Sequence, residues 1–209
     1  CALLLVIGDF APAAQSDTEP KPARERVLFN SDWRFIKGDP ANTTNLSYAR
    51  LKSWLLPAAR EFTTNAPASR PNGNIGDDVA FTHTDFDDSQ WRTLDLPHDW
   101  AIEGPFDQWL PGETAKLPYA GAGWYRKRFI VPQSDAGRHI ALEVDGAMSF
   151  AAVWLNGRFI GGWPYGYSSW RIDLTPHLNL NGTNVLAIRL DNPPQSSRWY
   201  PGAGIYRNV

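Results

Sequence analysis

The apolar segments of this 209-residue chain are short, and turn-forming residues separate them at close intervals. In one of the clearest, Phe150 to Leu155 leads into Asn156-Gly157, and Arg158 to Ile160 continues beyond the turn. Asn-Gly supplies the two positive-φ residues of a type I′ turn, so this segment predicts a tight β-hairpin. About ten short strands of this kind, without a long helix, predict an all-β chain, and we expect a β-sandwich with jelly-roll topology.

Two of the predicted strands have contrasting patterns. The segment from Val185 to Asp191 alternates large apolar residues with Ala187 and Arg189, which indicates a strand with one buried face. The segment from Trp124 to Val131 (WYRKRFIV) interleaves basic and apolar residues. This second pattern predicts a strand with one face in water.

Residues 39–78 differ from the rest in being rich in Asn, Thr, Pro and Ala. Leu51, Trp54 and Leu55 lie at helical spacing, and Pro57 follows them. Proline breaks a helix interior, so we expect one short helix that ends there. The segment is predicted to be a mostly irregular insertion on the surface of a single domain, because a second core would need more apolar residues.

The first residues form an apolar run, Cys1 to Ile7, followed by Ala11-Pro12-Ala13. This pattern resembles the end of a secretory signal peptide, so residues 1–14 are interpreted as a truncated signal segment and residues 15–25 as a linker. The alternative is a buried first strand. The jelly-roll domain then spans residues 26–209, and we expect a secreted or periplasmic protein. No later apolar run approaches the roughly 20 residues of a membrane helix.

Composition argues against several classes of function. Lys plus Arg is 20 and Asp plus Glu is 22, a formal net charge of −2 that gives no support for nucleic-acid binding. One cysteine excludes an internal disulfide, and the four histidines are far apart in sequence. Without clustered ligands or a glycine-rich phosphate loop, we expect no metal and no other cofactor.

One loop combines acidic and aromatic residues: Asp99, Glu103, Asp107 and Glu113. Glycoside cleavage uses two carboxyl groups on opposite sides of the scissile bond, about 5 Å apart or more. Carboxylates in such a loop are more often simply solvated. The residues alone therefore favour a binding or scaffolding domain over a complete active site.

Five motifs in order resemble the N-terminal sugar-binding domain of glycoside hydrolase family 2, nearest to its β-galactosidases. The motifs are Leu96–Trp100 (LPHDW), Gly123–Lys127 (GWYRK), Val153–Gly157 (VWLNG), Pro164–Tyr167 (PYGY) and Ser197–Arg207 (SRWYPGAGIYR). Each motif alone is weak, but five in register are specific. The similarity extends from about Arg26 to Val209.

The resemblance implies a galactose-binding-like jelly roll that precedes an immunoglobulin-like domain and a (β/α)₈ barrel. In that family two barrel glutamates cleave terminal β-glycosides with retention. Neither can be assigned in this chain, which we expect to be inactive by itself. Loops of the N-terminal domain help to hold the sugar, and Asp99, Arg198 and Trp199 are the candidate substrate-binding residues. The alternatives are a turn-capping role for Asp99, an interdomain ion pair for Arg198 and a core position for Trp199.

The function expected from the resemblance is hydrolysis of terminal β-D-galactosides by an enzyme of which this chain is one domain. The expected partners are a carbohydrate substrate and the other domains of the enzyme, and homo-oligomer formation stays open. The alternatives are a stand-alone carbohydrate-binding module and an enzyme of the β-glucuronidase or β-mannosidase type.

Overall fold

The computed structural model describes residues 24–41, 43, 46–195 and 200–209. Over these residues the chain forms eight β-strands and one α-helix, together with four short 3₁₀ turns. They are β1 (Trp33–Lys37), α1 (Tyr48–Thr64), β2 (Arg92–Leu94), β3 (Gly121–Ile130), β4 (Ala141–Val144), β5 (Ala151–Leu155), β6 (Arg158–Trp163), β7 (Trp170–Asp173) and β8 (Thr183–Asn192). The predominance of strands confirms the predicted all-β sandwich.

Six of the strands form one antiparallel sheet in the order β2-β1-β3-β8-β5-β6. Its centre is the pairing of β3 with β8, which continues from Gly121 opposite Asn192 to Ile130 opposite Thr183. β4 and β7 pair separately in a second, two-stranded sheet. These two sheets are the two layers of the sandwich.

Residues 200–209 extend the second layer without forming a regular strand. The backbone of Met148 exchanges two hydrogen bonds with Gly204, and Asp145 donates to the carbonyl of Asn208. Farther along, the carbonyl of Val209 accepts from the N–H of Phe29. The end of the described chain is therefore bonded to segments that lie early and midway in the sequence.

The main core lies between the two layers. Its central side chains are fully buried and come from both sides, including Trp33 and Tyr125 from the large sheet, Val144 from the small one and Ile205 from the C-terminal segment. At about 25 cal/mol per Å² of apolar surface, residues of this size each contribute on the order of 2 kcal/mol when buried. This core fixes the register of the strands that lead to the loops described below.

A second apolar cluster covers the opposite face of the large sheet. Leu51 and Leu55 of α1 are fully buried there, against a sheet surface that includes Trp124 and Trp154. The two indole rings are stacked, with centroids 5.4 Å apart. The insertion thus carries half of a second core, which its modest apolar content did not indicate.

The helix within the insertion is longer than predicted. It continues past Pro57 to Thr64, so the prediction that it ends at Pro57 is wrong. A proline in a helix interior loses one backbone hydrogen bond. Here the helix beyond Pro57 also packs on the sheet, since the ring of Phe62 meets that of Trp163 with centroids 5.2 Å apart, and this contact helps to offset the loss.

The hairpin between β5 and β6 is as predicted. Asn156 has φ 53° and Gly157 φ 79°, the two positive values that a type I′ turn requires. The prediction of a wet face on β3 is wrong, because Arg126 is fully buried and Lys127 nearly so. Arg126 donates to the buried carboxylate of Asp88, which removes the cost of an unpaired charge.

Residues 27–30 and 205–209 lie outside the eight strands. The predicted signal segment, residues 1–14, and the linker up to residue 23 lie outside the described residues, so both stay predictions. No helix in the described part of the chain has the length and apolar character needed to cross a membrane.

Candidate functional site

Asp99 lies where the loop after β2 runs beside the C-terminal segment. The N–H of His98 donates to the carbonyl of Ile205 (2.8 Å), and the N–H of Trp100 donates to that of Ala203 (2.8 Å). Asp99 stands between these two antiparallel hydrogen bonds and is half-buried. Its backbone is therefore fixed by residues about a hundred positions later in the chain.

Both carboxylate oxygens of Asp99 are used. Oδ1 accepts the N–H of Ala101 at 2.9 Å, which is the turn-capping contact that the sequence offered as an alternative. Oδ2 accepts the hydroxyl of Tyr200 at 2.5 Å. Burial and the bond to the Asp99 carboxylate raise the pKa of Tyr200, so its phenol stays protonated and keeps donating at neutral pH. Each carboxylate oxygen has a second lone pair with which to accept a further hydrogen bond.

Hydrogen bonds between side chains and the backbone hold this corner together. The side chain of Asn192, at the end of β8, donates to the carbonyl of Gly202 at 2.8 Å, and the indole N–H of Trp100 donates to the carbonyl of Tyr119 at 3.1 Å. The hydroxyl of Tyr119 in turn accepts the N–H of Gln195 at 2.9 Å. The end of β8 is thereby bonded to the C-terminal segment, and the residue that lies two positions before β3 is bonded to the loop that carries Asp99.

One glycine is required for this approach. Gly204 has φ +134°, and a Cβ on it would lie 2.4 Å from the carbonyl oxygen of His98 and 2.6 Å from the hydroxyl of Tyr125. Any side chain would push the C-terminal segment away from the loop, which explains the glycine within the motif that ends at Arg207.

Behind Asp99 lies a second polar group centred on His98. Nδ1 of this buried imidazole is 2.6 Å from the hydroxyl of Tyr125. Nε2 lies 3.3 Å from Glu103, without hydrogen-bond alignment, and Arg92 holds the same carboxylate through two bonds of 2.6 and 2.7 Å. Burial lowers the pKa of His98, although the Glu103 carboxylate opposes the shift, so the ring is neutral at pH 7.

Two of the other acids of the loop, Asp107 and Glu103, are engaged in local structure. Asp107 caps its own turn by accepting the N–H of Trp109 at 2.9 Å. Glu103 is paired with Arg92, as described above. Among the described residues no three His, Cys, Asp or Glu side chains form a group that could hold a metal ion. The arrangement suits a binding corner: one oriented carboxylate on a rigid loop.

The structure describes one of the three predicted site residues. Asp99 lies beside the C-terminal segment, and its substrate-binding role stays a prediction. Arg198 and Trp199 lie outside the described residues, so their substrate-binding role stays a prediction. Sequence reasoning included Tyr200 as a member of the Ser197–Arg207 motif. No local signal pointed to its bond with Asp99, because 101 positions separate the two residues.

Comparison with known proteins gives a consistent result. Residues 99–200 match the family model described as the glycosyl hydrolase 2 galactose-binding domain-like family. A β-galactosidase of Bacteroides ovatus is 46% identical over 189 residues, which are 89% of this chain and 18% of that protein. A putative β-glucuronidase of Formosa agariphila is 37% identical over 65% of this chain and 13% of its own length.

Solved structures show the same relationship. A β-glycosidase from Bacteroides vulgatus superposes with a TM-score of 0.64 at 30% identity, over 87% of this chain and 19% of that one. A family 2 glycosyl hydrolase from Bacteroides cellulosilyticus follows with a TM-score of 0.61 at 28% identity. The chain therefore spans about a fifth of the length of these relatives.

Proposed function

Because the chain carries a galactose-binding-like domain of glycoside hydrolase family 2, we propose that it is the substrate-positioning N-terminal domain of a retaining β-galactosidase. The proposed sugar is galactose, because the Bacteroides ovatus relative is named as a β-galactosidase. The catalytic glutamates of such an enzyme are proposed to lie in a barrel domain outside the 209 residues given. Immunoglobulin-like and barrel domains of the same enzyme, and a galactoside, are the proposed partners.

The observation that carries this proposal is the orientation of Asp99. Its carboxylate is held by Ala101 and Tyr200 at the junction of two loops. A carboxylate fixed in this way can accept hydrogen bonds from sugar hydroxyls without losing side-chain freedom on binding. Arg198 and Trp199 belong to the same motif as Tyr200. They are proposed to add a hydrogen-bond donor and an aromatic face on which the sugar ring stacks.

The proposal is tested in the longer enzyme with a chromogenic β-galactoside. We expect Asp99→Ala to lower kcat/KM about 10- to 100-fold, since a hydrogen bond to a charged group contributes about 1.5–3 kcal/mol. Tyr200→Phe removes only the hydroxyl that holds Asp99 and is expected to cause a smaller loss. Asp107→Asn, in the same loop, is the matched control. Equal activity of Asp99→Ala and wild type would contradict the role of Asp99.

The named alternative is a glucuronidase, because the Formosa agariphila relative is described as a putative β-glucuronidase. Comparing kcat/KM on the galactoside, glucuronide and mannoside of one leaving group distinguishes the candidates. A preference for the glucuronide would replace galactose in the proposal while leaving the family unchanged.

We also propose that the protein is exported, because the apolar Cys1–Ile7 run and the Ala11-Pro12-Ala13 tripeptide resemble the end of a secretory signal peptide. Fractionation of the source cells with an antibody against this domain tests it, and recovery in the cytoplasm alone would contradict it.

A further inference from the structure

A surface cleft of about 690 Å³ lies between α1 and the loop of residues 72–78. Helix residues such as Arg50 and Trp54 line one side, and loop residues such as Asp77 and Asp78 line the other. All of its lining residues precede the segment that matches the family model, residues 99–200. The cleft shares no residue with the Asp99 corner.

The loop wall of this cleft is rigid. The side chain of Asn74 bridges the β5–β6 hairpin, accepting from the N–H of Phe159 at 2.7 Å and donating to the carbonyl of Gly157 at 2.9 Å. The carbonyl of Ile75 accepts the indole N–H of Trp154 at 2.6 Å. A wall anchored on the second core needs no ordering when a ligand binds.

The helix wall supplies an aromatic ring. Trp54 is partly exposed, and its indole packs edge-on against Phe159 with centroids 5.7 Å apart. Its ring N–H has no hydrogen-bond partner among the residues that the structure describes. The ring is therefore held against Phe159 while part of it is exposed and lines the cleft.

Charged groups with unused hydrogen-bonding capacity flank the ring. Arg50 and Asp78 are exposed, and within the described chain their side chains have neither a hydrogen bond nor an ion pair. Asp77 accepts from Asn74 through one oxygen only. A partner with hydroxyl groups suits both kinds of side chain, because a hydroxyl can accept from Arg50 and donate to the carboxylates.

We propose that this cleft is a binding site for a neutral oligosaccharide, with a pyranose ring on Trp54 and its hydroxyls bonded to Arg50, Asp77 and Asp78. The mixed charge disfavours a ligand of a single charge sign. An anion would meet two carboxylates, and a cation would meet a guanidinium. A sugar combines an apolar ring face for the indole with polar edges for the flanking groups.

The test is a titration of the 209-residue chain with cellobiose, lactose and xylobiose, in which saturation-transfer NMR detects binding. We expect saturable millimolar binding of at least one disaccharide, and Trp54→Ala is expected to weaken it about tenfold. Because Trp54 also contacts Phe159, Arg50→Ala and Asp78→Ala provide variants at exposed positions, each expected to weaken binding severalfold. Trp109→Ala, at an exposed tryptophan outside the cleft, is the control.

Three results would overturn the proposal: no saturation with any of the three sugars, unchanged affinity in all three cleft variants, or loss of binding in Asp99→Asn instead of Trp54→Ala. The kcat/KM of the longer enzyme tests the Asp99 proposal separately, so failure of one does not decide the other.

Discussion

Arg126 and Asp88 form a buried ion pair beneath the 3₁₀ turn that precedes β2. Arg126 donates through Nε to Asp88 at 2.8 Å and through a second nitrogen to the carbonyl of His83 at 3.1 Å. Arg128 binds the same carboxylate from the side that is partly exposed. The charge of Asp88 thus keeps two cations in place on one strand.

Removing Asp88 should leave Arg126 buried without its counter-ion. We expect Asp88→Ala to lower the free energy of unfolding by about 3–5 kcal/mol, the usual cost of breaking a buried pair. Urea denaturation of this chain measures the change, with Asp85→Ala at an exposed position as the control. A loss below about 1 kcal/mol would mean that Arg126 finds other partners.

The same pair predicts a pH dependence. Burial alone would raise the pKa of Asp88, but hydrogen bonds from Arg126 and Arg128 hold that pKa below its ordinary value. A carboxyl with a depressed folded-state pKa contributes stability above its unfolded pKa, about 3.9, and loses it as pH falls through the folded value. The stability difference between wild type and Asp88→Asn should therefore be full at pH 7 and shrink below about pH 4. A difference that stays constant from neutral to acidic pH in urea titrations would contradict this assignment.

At the scale of elements, α1 acts as a cover for one face of the large sheet. Leu55 is fully buried, whereas its neighbour Leu56 is about half-exposed. Gly162 on β6 lies under the helix, and a Cβ there would come within 2.5 Å of Leu55. The helix and strand are therefore in close contact.

This contrast gives a matched pair of variants. Leu55→Ala should destabilise the chain by about 2–5 kcal/mol, because it removes buried apolar surface and leaves a cavity. Leu56→Ala makes the same chemical change at the solvent side and should cost about 0.5 kcal/mol or less. Thermal unfolding followed by circular dichroism compares the two, and equal losses would show that α1 does not pack as described.

Local signals predicted the elements and missed the contacts between distant ones. Asn156-Gly157 specified its hairpin because the turn geometry depends on those two residues alone. The basic residues of β3 suggested solvent exposure because Asp88, the partner of Arg126 and Arg128, lies 38 positions before Arg126. The Leu96–Trp100 motif was enough to propose Asp99 as a site residue. Its hydrogen bond from Tyr200, however, forms only in the folded chain.

On the scale of the whole molecule, one sheet belongs to both apolar clusters. Along β5, Val153 and Leu155 face the main core, while Ala152 and Trp154 face the helix. Because successive side chains point to opposite faces, neither cluster can lose its packing without disturbing the strands of the other.

We therefore expect one cooperative unfolding transition. Far-ultraviolet circular dichroism and tryptophan fluorescence should give coincident urea curves. Leu55→Ala in the helix cluster and Ile205→Ala in the main core should each shift both curves together. Separate transitions would show that the helix layer unfolds independently.

The last ten described residues bond to segments near Phe29, His98 and Met148. Ala203 and Ile205 of this segment are fully buried in the main core. During synthesis that core therefore stays incomplete until Val209 has left the ribosome.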